Sequence, residues 1–235
     1  MTSTGRAIPT PISRGPRGTG PRAWRRGVGI RNPEDLSGSS LSYAADRLLR
    51  AGAAMFLFDS RAGADASDAC VQAALAHGFG IPFVVLRDQA LAVDVGASAV
   101  VLETPPPGGL GAAGGGSGLA VGRLVAAATT IDEAVIGRPA FLALDGRECA
   151  ADSAAWASFC RDVQRLRAGC GLPVMVYGEF SLAAAEALTV AGADWIVLGS
   201  TFFSAERPTG LLRQFALVGP TGSVAADADG PRRNG

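Results

Sequence analysis

Seven charged side chains stand just beyond short apolar runs of the sequence. Asp59 and Arg61 follow MFLF, Arg87 and Asp88 follow PFVVL, Glu103 follows AVVL, Asp145 follows AFLAL, and Glu179 follows VMVYG. Carboxylates that converge from several chain segments bind a metal or act as acid and base. Arginines among them hold phosphate groups through two parallel N–H bonds. The plainer alternative at each position is a polar loop residue or an aspartate capping the next helix. A second signal lies near the end of the chain, where YGE and LGST place Gly178 and Gly199 at run ends, with Ser200 and Thr201 next. Glycines there let backbone N–H groups approach an anion, and the hydroxyls add donors. Gly178, Gly199, Ser200 and Thr201 are therefore expected to form a phosphate cup, against the alternative of two tight turns without a ligand.

Composition removes other chemistries. All 21 basic residues are arginine, which excludes Schiff-base lysines and the P-loop lysine. His77 is the single histidine, so multi-histidine metal sites are excluded. It is expected in the last turn of a helix in a structural role. Cys70, Cys149, Cys160 and Cys170 have no C-x-x-C spacing and read as reduced, mostly buried thiols of a cytoplasmic protein. Residues 1–31 hold seven arginines and no acid, whereas the remainder holds fourteen arginines against 21 acids. The acidic body argues against a specific nucleic-acid partner. No apolar run approaches the roughly 20 residues of a membrane span, and the first 25 residues lack the apolar centre of a signal peptide.

The elements that must position these residues follow from a repeated pattern. Gly52-Ala53, Gly96-Ala97 and Gly192-Ala193 each precede an apolar run, as expected where a helix stops at a left-handed glycine and a buried strand begins. Ile81-Pro82 and Leu172-Pro173 each open a strand that leads into an alanine-rich helix. Strands are predicted over 27–30, 54–58, 82–86, 99–102, 123–127, 140–144, 174–177 and 195–198, with the clearest helices over 67–77, 151–167 and 181–191. Trp156, Phe159, Val163 and Leu166 share a helical face that should turn to the core. Eight β/α units in about 190 residues predict a (β/α)8 TIM barrel. A doubly wound sheet would normally carry a glycine fingerprint after its first strand. The barrel is expected over 26–218, between disordered tails at 1–25 and 219–235. The Gly-rich segment 105–118 would be a flexible loop on the active-site face, either a lid or a shrunken helix.

The stretch from Gly192 to Pro208, GADWIVLGSTFFSAERP, resembles the final strand and turn of thiamine phosphate synthase and its relative thiazole tautomerase. IPFVV through LAVDVGA resembles that family's third strand and helix, and TIDEA its short helix after the fifth strand, so the resemblance runs from about Leu48 to Pro208. It implies a barrel that joins a pyrimidine pyrophosphate to a thiazole phosphate with the help of Mg2+. Several of the family's functional positions differ. Leu57-Phe58-Asp59-Ser60-Arg61 replaces its Gln-Leu-Arg-x-Lys, with Arg61 able to keep the lysine's charge. Leu86-Arg87 replaces its Asn-Asp, its second Asp falls near Pro106, Ala127-Ala128-Thr129 replaces its Ser-x-His, and Tyr177-Gly178 its paired glycines. Asp88 and Glu103 lie one to three positions from the lost metal ligands. The resemblance therefore implies a divergent thiamine-pathway transferase that takes a phosphorylated small molecule at the mouth. Arg61, Arg87, Asp88 and Glu103 would be its catalytic candidates, and Asp59, Asp145 and Glu179 further mouth residues. Mg2+ would be possible without the usual ligands. The alternative is a catalytically degenerate barrel, a pseudoenzyme that keeps phosphate binding for sensing or assembly.

Overall fold

A computed structural model describes residues 21, 24–62, 65–104, 119–147 and 153–220. Eight parallel strands pair in chain order, and the last closes on the first to make a (β/α)8 barrel. The strands are β1 (Gly27–Arg31), β2 (Phe56–Asp59), β3 (Phe83–Leu86), β4 (Ala99–Leu102), β5 (Ala120–Val125), β6 (Phe141–Asp145), β7 (Val174–Gly178) and β8 (Trp195–Leu198). The helices are α1 (Gly38–Arg50), α2 (Ala66–Gly78), α3 (Gln89–Asp94), α4 (Ile131–Ala134), α5 (Ser153–Cys170), α6 (Leu182–Val190), α7 (Ser200–Phe203) and α8 (Pro208–Val218). The expected lid segment 105–118 and the tails over 1–20 and 221–235 lie outside the described residues.

The Gly-Ala pairs work as the sequence suggests. Gly52, Gly96 and Gly192 have φ of 104, 65 and 94°. In each case the following alanine N–H reaches back to a carbonyl in the last helical turn: Ala53 to Leu48, Ala97 to Ala92 and Ala193 to Leu188, at 2.8–3.2 Å. These are Schellman caps, which turn the chain sharply from helix into strand. Gly80-Ile81 repeats the device after α2, with Ile81 N–H on the Ala76 carbonyl. Pro82 and Pro173 lack an N–H, yet their carbonyls accept from Phe56 and Leu142 in the neighbouring strands.

Strand residues alternate between two cores. Val28, Ile30, Phe56, Phe58, Val85 and Ile196 face the helices, whereas Leu57, Leu86, Val101, Ala143, Tyr177 and Val197 fill the barrel. Beneath the barrel, the Trp24 ring lies 6.0 Å from Phe141 and 5.8 Å from Trp195, and the Trp195 indole donates to the Arg25 carbonyl. The packed body thus takes in Trp24, two residues before the boundary expected at 26, because a large indole seals the strand starts. Asp194 is buried at this end between Arg26 and Arg167, at 2.7 and 3.0 Å.

β5 starts three residues earlier than expected, and the correction has a packing cause. Gly122 faces the barrel, and a Cβ there would sit 2.4 Å from the Phe141 ring. A small residue here makes room for the aromatic ring from the neighbouring strand, so the strand takes in Ala120–Gly122. Phe159, Val163 and Leu166 are buried on α5 as expected. Cys160 and Cys170 are half-buried and Cys70 is exposed, so Cys70 departs from the expected burial. His77 occupies the last turn of α2, where burial lowers its pKa. Among the described residues, no helix is long and apolar enough to cross a membrane.

Candidate functional site

The two-residue period of a strand decides which charges reach the C-terminal mouth of the barrel. Leu57, Val101, Ala143, Tyr177 and Val197 point inward, so Asp59, Glu103, Asp145, Glu179 and Gly199 stand two residues further on the inner face. On β1, Val28 and Ile30 face the helices, which places Arg31 on the inner face as well.

Arg87 is out of phase, because Leu86 before it already points inward. Its backbone has φ 68°, in the left-handed region that non-glycine residues rarely adopt. This turn, anchored by Arg87 N–H on the Val101 carbonyl at 2.7 Å, brings the guanidinium back over the mouth. There Nε donates to Glu103 Oε1 at 2.8 Å, Nη2 donates to the Tyr177 hydroxyl at 3.3 Å, and Nη1 lies 3.7 Å from Asp59. The same turn displaces Asp88, whose carboxylate accepts from Leu91 N–H at 2.9 Å and caps α3. Asp88 thus serves the helix and does not join the mouth cluster.

Asp59 is the hub. Its side chain is 5% exposed and lies between Arg87 and Arg31, the latter 3.5 Å away. Asn32 fixes its backbone from both sides, accepting from Asp59 N–H at 2.7 Å and donating to its carbonyl at 3.1 Å. Arg61 gives its backbone N–H to Asp59, but its side chain is exposed and makes no ion pair among the described residues. Across the mouth, Arg147 holds Asp145 through two nitrogens and lies over the Tyr177 ring.

The electrostatics follow from this crowding. Burial opposes the charge on Arg87, yet Glu103, Tyr177 and Asp59 together raise its pKa. Burial likewise opposes ionisation of Asp145, but the Arg147 hydrogen bonds prevail and hold it below the ordinary carboxylate value. Tyr177 is pushed up to about 12, first by burial and then by the Asp145 charge.

The expected phosphate cup is divided. The Phe180 ring covers Gly178, and a Cβ there would meet it at 2.7 Å. The turn after β8 is the open half, and a carboxylate of the chain itself occupies it. Glu179 Oε1 accepts Ser200 N–H at 2.9 Å, while Oε2 accepts Thr201 N–H at 2.9 Å and the Thr201 hydroxyl. Gly199 makes this possible, because a Cβ there would stand 2.8 Å from Glu179 Oε1.

The magnesium that the sequence resemblance implies does not fit these residues. Asp59, Glu103 and Asp145 are each engaged by arginine, and Glu179 by backbone N–H groups. Among the described residues, no three metal-ligating side chains come together in a way that would hold an ion. Divalent cations need several unclaimed oxygen ligands, and guanidinium groups at 2.5–3.7 Å compete directly for these.

Arg31, Asn32, Tyr177 and Arg147 were not among the sequence candidates for this cluster. The alternation Val28-Gly29-Ile30-Arg31 was the available signal for Arg31, obscured by the basic tail that precedes it.

No family model and no curated protein matches the chain. Solved structures do. Thiamine phosphate pyrophosphorylase from Pyrococcus furiosus is 16% identical, with a TM-score of 0.64 over 82% of this chain and 94% of that one. Mycobacterium tuberculosis tryptophan synthase is 19% identical, with a TM-score of 0.65 over 86% of this chain and 95% of that one. A 3-hexulose-6-phosphate synthase is 14% identical, with a TM-score of 0.62 over 82% of this chain and 99% of that one. At such identities the likeness is one of fold, and the chain is a (β/α)8 TIM barrel.

Proposed function

We propose that this barrel binds a phosphorylated small molecule of the thiazole or pyrimidine type at its C-terminal mouth, without magnesium-dependent transfer chemistry. One observation carries the reading. Two backbone N–H groups and a hydroxyl of the Gly199-Ser200-Thr201 turn converge on one anion position, which the Glu179 carboxylate fills. A position that holds a carboxylate this way suits a phosphate. Arg87, Arg147 and Tyr177 supply the adjoining wall, and the phenol stays protonated across the physiological range.

A transferase of the thiamine phosphate synthase type is the second reading. The observation favouring it is Arg87, held by Glu103 in a left-handed turn and able to stabilise a departing pyrophosphate in place of a metal. A binding titration paired with a turnover assay separates the two. Thermal-shift titration of the full chain with thiazole phosphate, pyrimidine pyrophosphate and thiamine phosphate, with and without Mg2+, should show a ligand shift that EDTA leaves intact. Gly199→Asp should abolish it, since its side chain enters the anion position. Turnover that survives EDTA and is lost in Arg87→Ala selects the transferase. Equal ligand binding by Gly199→Asp and the parent overturns the site.

A further inference from the structure

We infer that Arg31 and the Gly199-Ser200-Thr201 turn form a single seat selective for a tetrahedral oxyanion, with Glu179 as its displaceable stand-in. This rests on the phosphate-binding reading above and adds the geometry of the ligand and a cationic residue.

The stand-in leaves one donor unserved. Both oxygens of the planar Glu179 carboxylate are used by Ser200 and Thr201. The Arg31 side chain is 5% exposed, its Nη2 lies 3.9 Å from Glu179 Oε1, beyond hydrogen-bond reach, and its Nε has no hydrogen-bond partner among the described residues. A buried guanidinium N–H without an acceptor costs stability, and such groups are rare in folded proteins. This one borders the seat. Nε and Nη2 lie 3.1 and 3.3 Å from the point where a Cβ on residue 199 would stand, and Glu179 Oε1 lies 2.8 Å from the same point. Glycine therefore lets the turn, Glu179 Oε1 and the Arg31 edge close in on one another, so an anion seated in place of Glu179 lies beside Nε and Nη2.

A carboxylate held by both turn N–H groups has no third oxygen to offer the Arg31 edge. A phosphate has one: two oxygens replace those of Glu179, and a third meets Arg31. Glu179, 35% exposed, can leave the seat by rotating towards solvent. The seat selects a phosphate group, free or as a monoester, over a carboxylate.

The test is calorimetric titration of the full chain at constant ionic strength with inorganic phosphate, methyl phosphate and acetate. Glu179→Ala should bind both phosphates about tenfold more tightly than the parent does, and about tenfold more tightly than it binds acetate. Adding Arg31→Gln should remove that preference by weakening phosphate about tenfold, with acetate changed by less than about twofold. Gly199→Ala in the Glu179→Ala background reads the same point if Arg31→Gln fails to fold, because its methyl group stands against Arg31 Nε and Nη2 without altering charge. Methyl phosphate binding as tightly as free phosphate shows that the seat accepts a monoester, and rejection of methyl phosphate alone restricts it to the free ion. Equal affinity for acetate and phosphate, or phosphate binding indifferent to both Arg31→Gln and Gly199→Ala, overturns the inference while leaving the seat in place. A Glu179→Ala protein that binds no phosphate at all overturns the phosphate-site reading itself.

Discussion

Replacing Asp59 by alanine removes the one carboxylate that stands between two largely buried arginines. Their side chains are 5% exposed for Arg31 and 14% for Arg87, with Asp59 Oδ2 at 3.5 and 3.7 Å. At an effective dielectric near 20, each attraction is worth about 4 kcal/mol. Loss of the buried carboxylate returns several kcal/mol of desolvation, so the net cost should be about 3 kcal/mol, typical of a broken buried pair. The two arginines are not affected equally. Arg87 keeps Glu103 at 2.8 Å, whereas Arg31 is left with Glu179 at 3.9 Å. Most of the penalty therefore belongs to Arg31. Urea unfolding should show Asp59→Ala losing about 3 kcal/mol, a fall in Tm of about 6–12 °C for a domain of this size. Arg31→Leu in the Asp59→Ala background should recover part of the loss, with a coupling of about 1–3 kcal/mol. A cost below about 0.5 kcal/mol, or strict additivity of the two substitutions, would refute the reasoning by showing that water already neutralises the mouth arginines.

Other expectations follow from single contacts. Gly122→Ala should cost about 1–3 kcal/mol in chemical denaturation, because the added methyl group collides with Phe141 inside the barrel. Asp88→Ala should lose about 1 kcal/mol through its helix cap, while phosphate affinity measured by calorimetry stays unchanged. The Tyr177 phenol should ionise near pH 12 in an absorbance titration, and Tyr177→Phe should delete that phase. Its raised pKa means that the native state holds the proton longer, so stability falls as pH rises from about 10 towards about 12 and is unaffected by this group below that window.

The barrel was legible because its local devices are written in adjacent residues. A Gly-Ala cap needs a left-handed residue followed by a buried one, and both are visible in the chain around 52, 96 and 192. β5 was displaced because its glycine serves Phe141, nineteen residues away and on another strand. The inner-face charges were legible by position, since Asp59, Glu103, Asp145 and Glu179 each stand two residues after an inward-facing strand residue. What each charge does was not legible. Asp59 meets Arg31 and Arg87, and Glu179 meets Ser200 and Thr201, only because the sheet closes with these registers. Alternation also misplaces the 87–88 pair, because a left-handed Arg87 exchanges the roles that a regular strand would assign.

Charge balance sets how the mouth can accept a ligand. Arg31, Arg87 and Arg147 face Asp59, Glu103, Asp145 and Glu179, an excess of one negative charge within the paired cluster. An anion added to this arrangement meets repulsion, and one that expels Glu179 meets three arginines balanced by three carboxylates. Exchange is therefore favoured over addition. The resident carboxylate gives up charge-assisted hydrogen bonds worth about 1.5–3 kcal/mol each, most of which the incoming group restores. The remaining difference reduces apparent affinity by the fraction of molecules whose seat is open. Glu179 thus acts as a threshold: weak anions fail to displace it, and an oxyanion that also satisfies Arg31 gains the contact that tips the exchange.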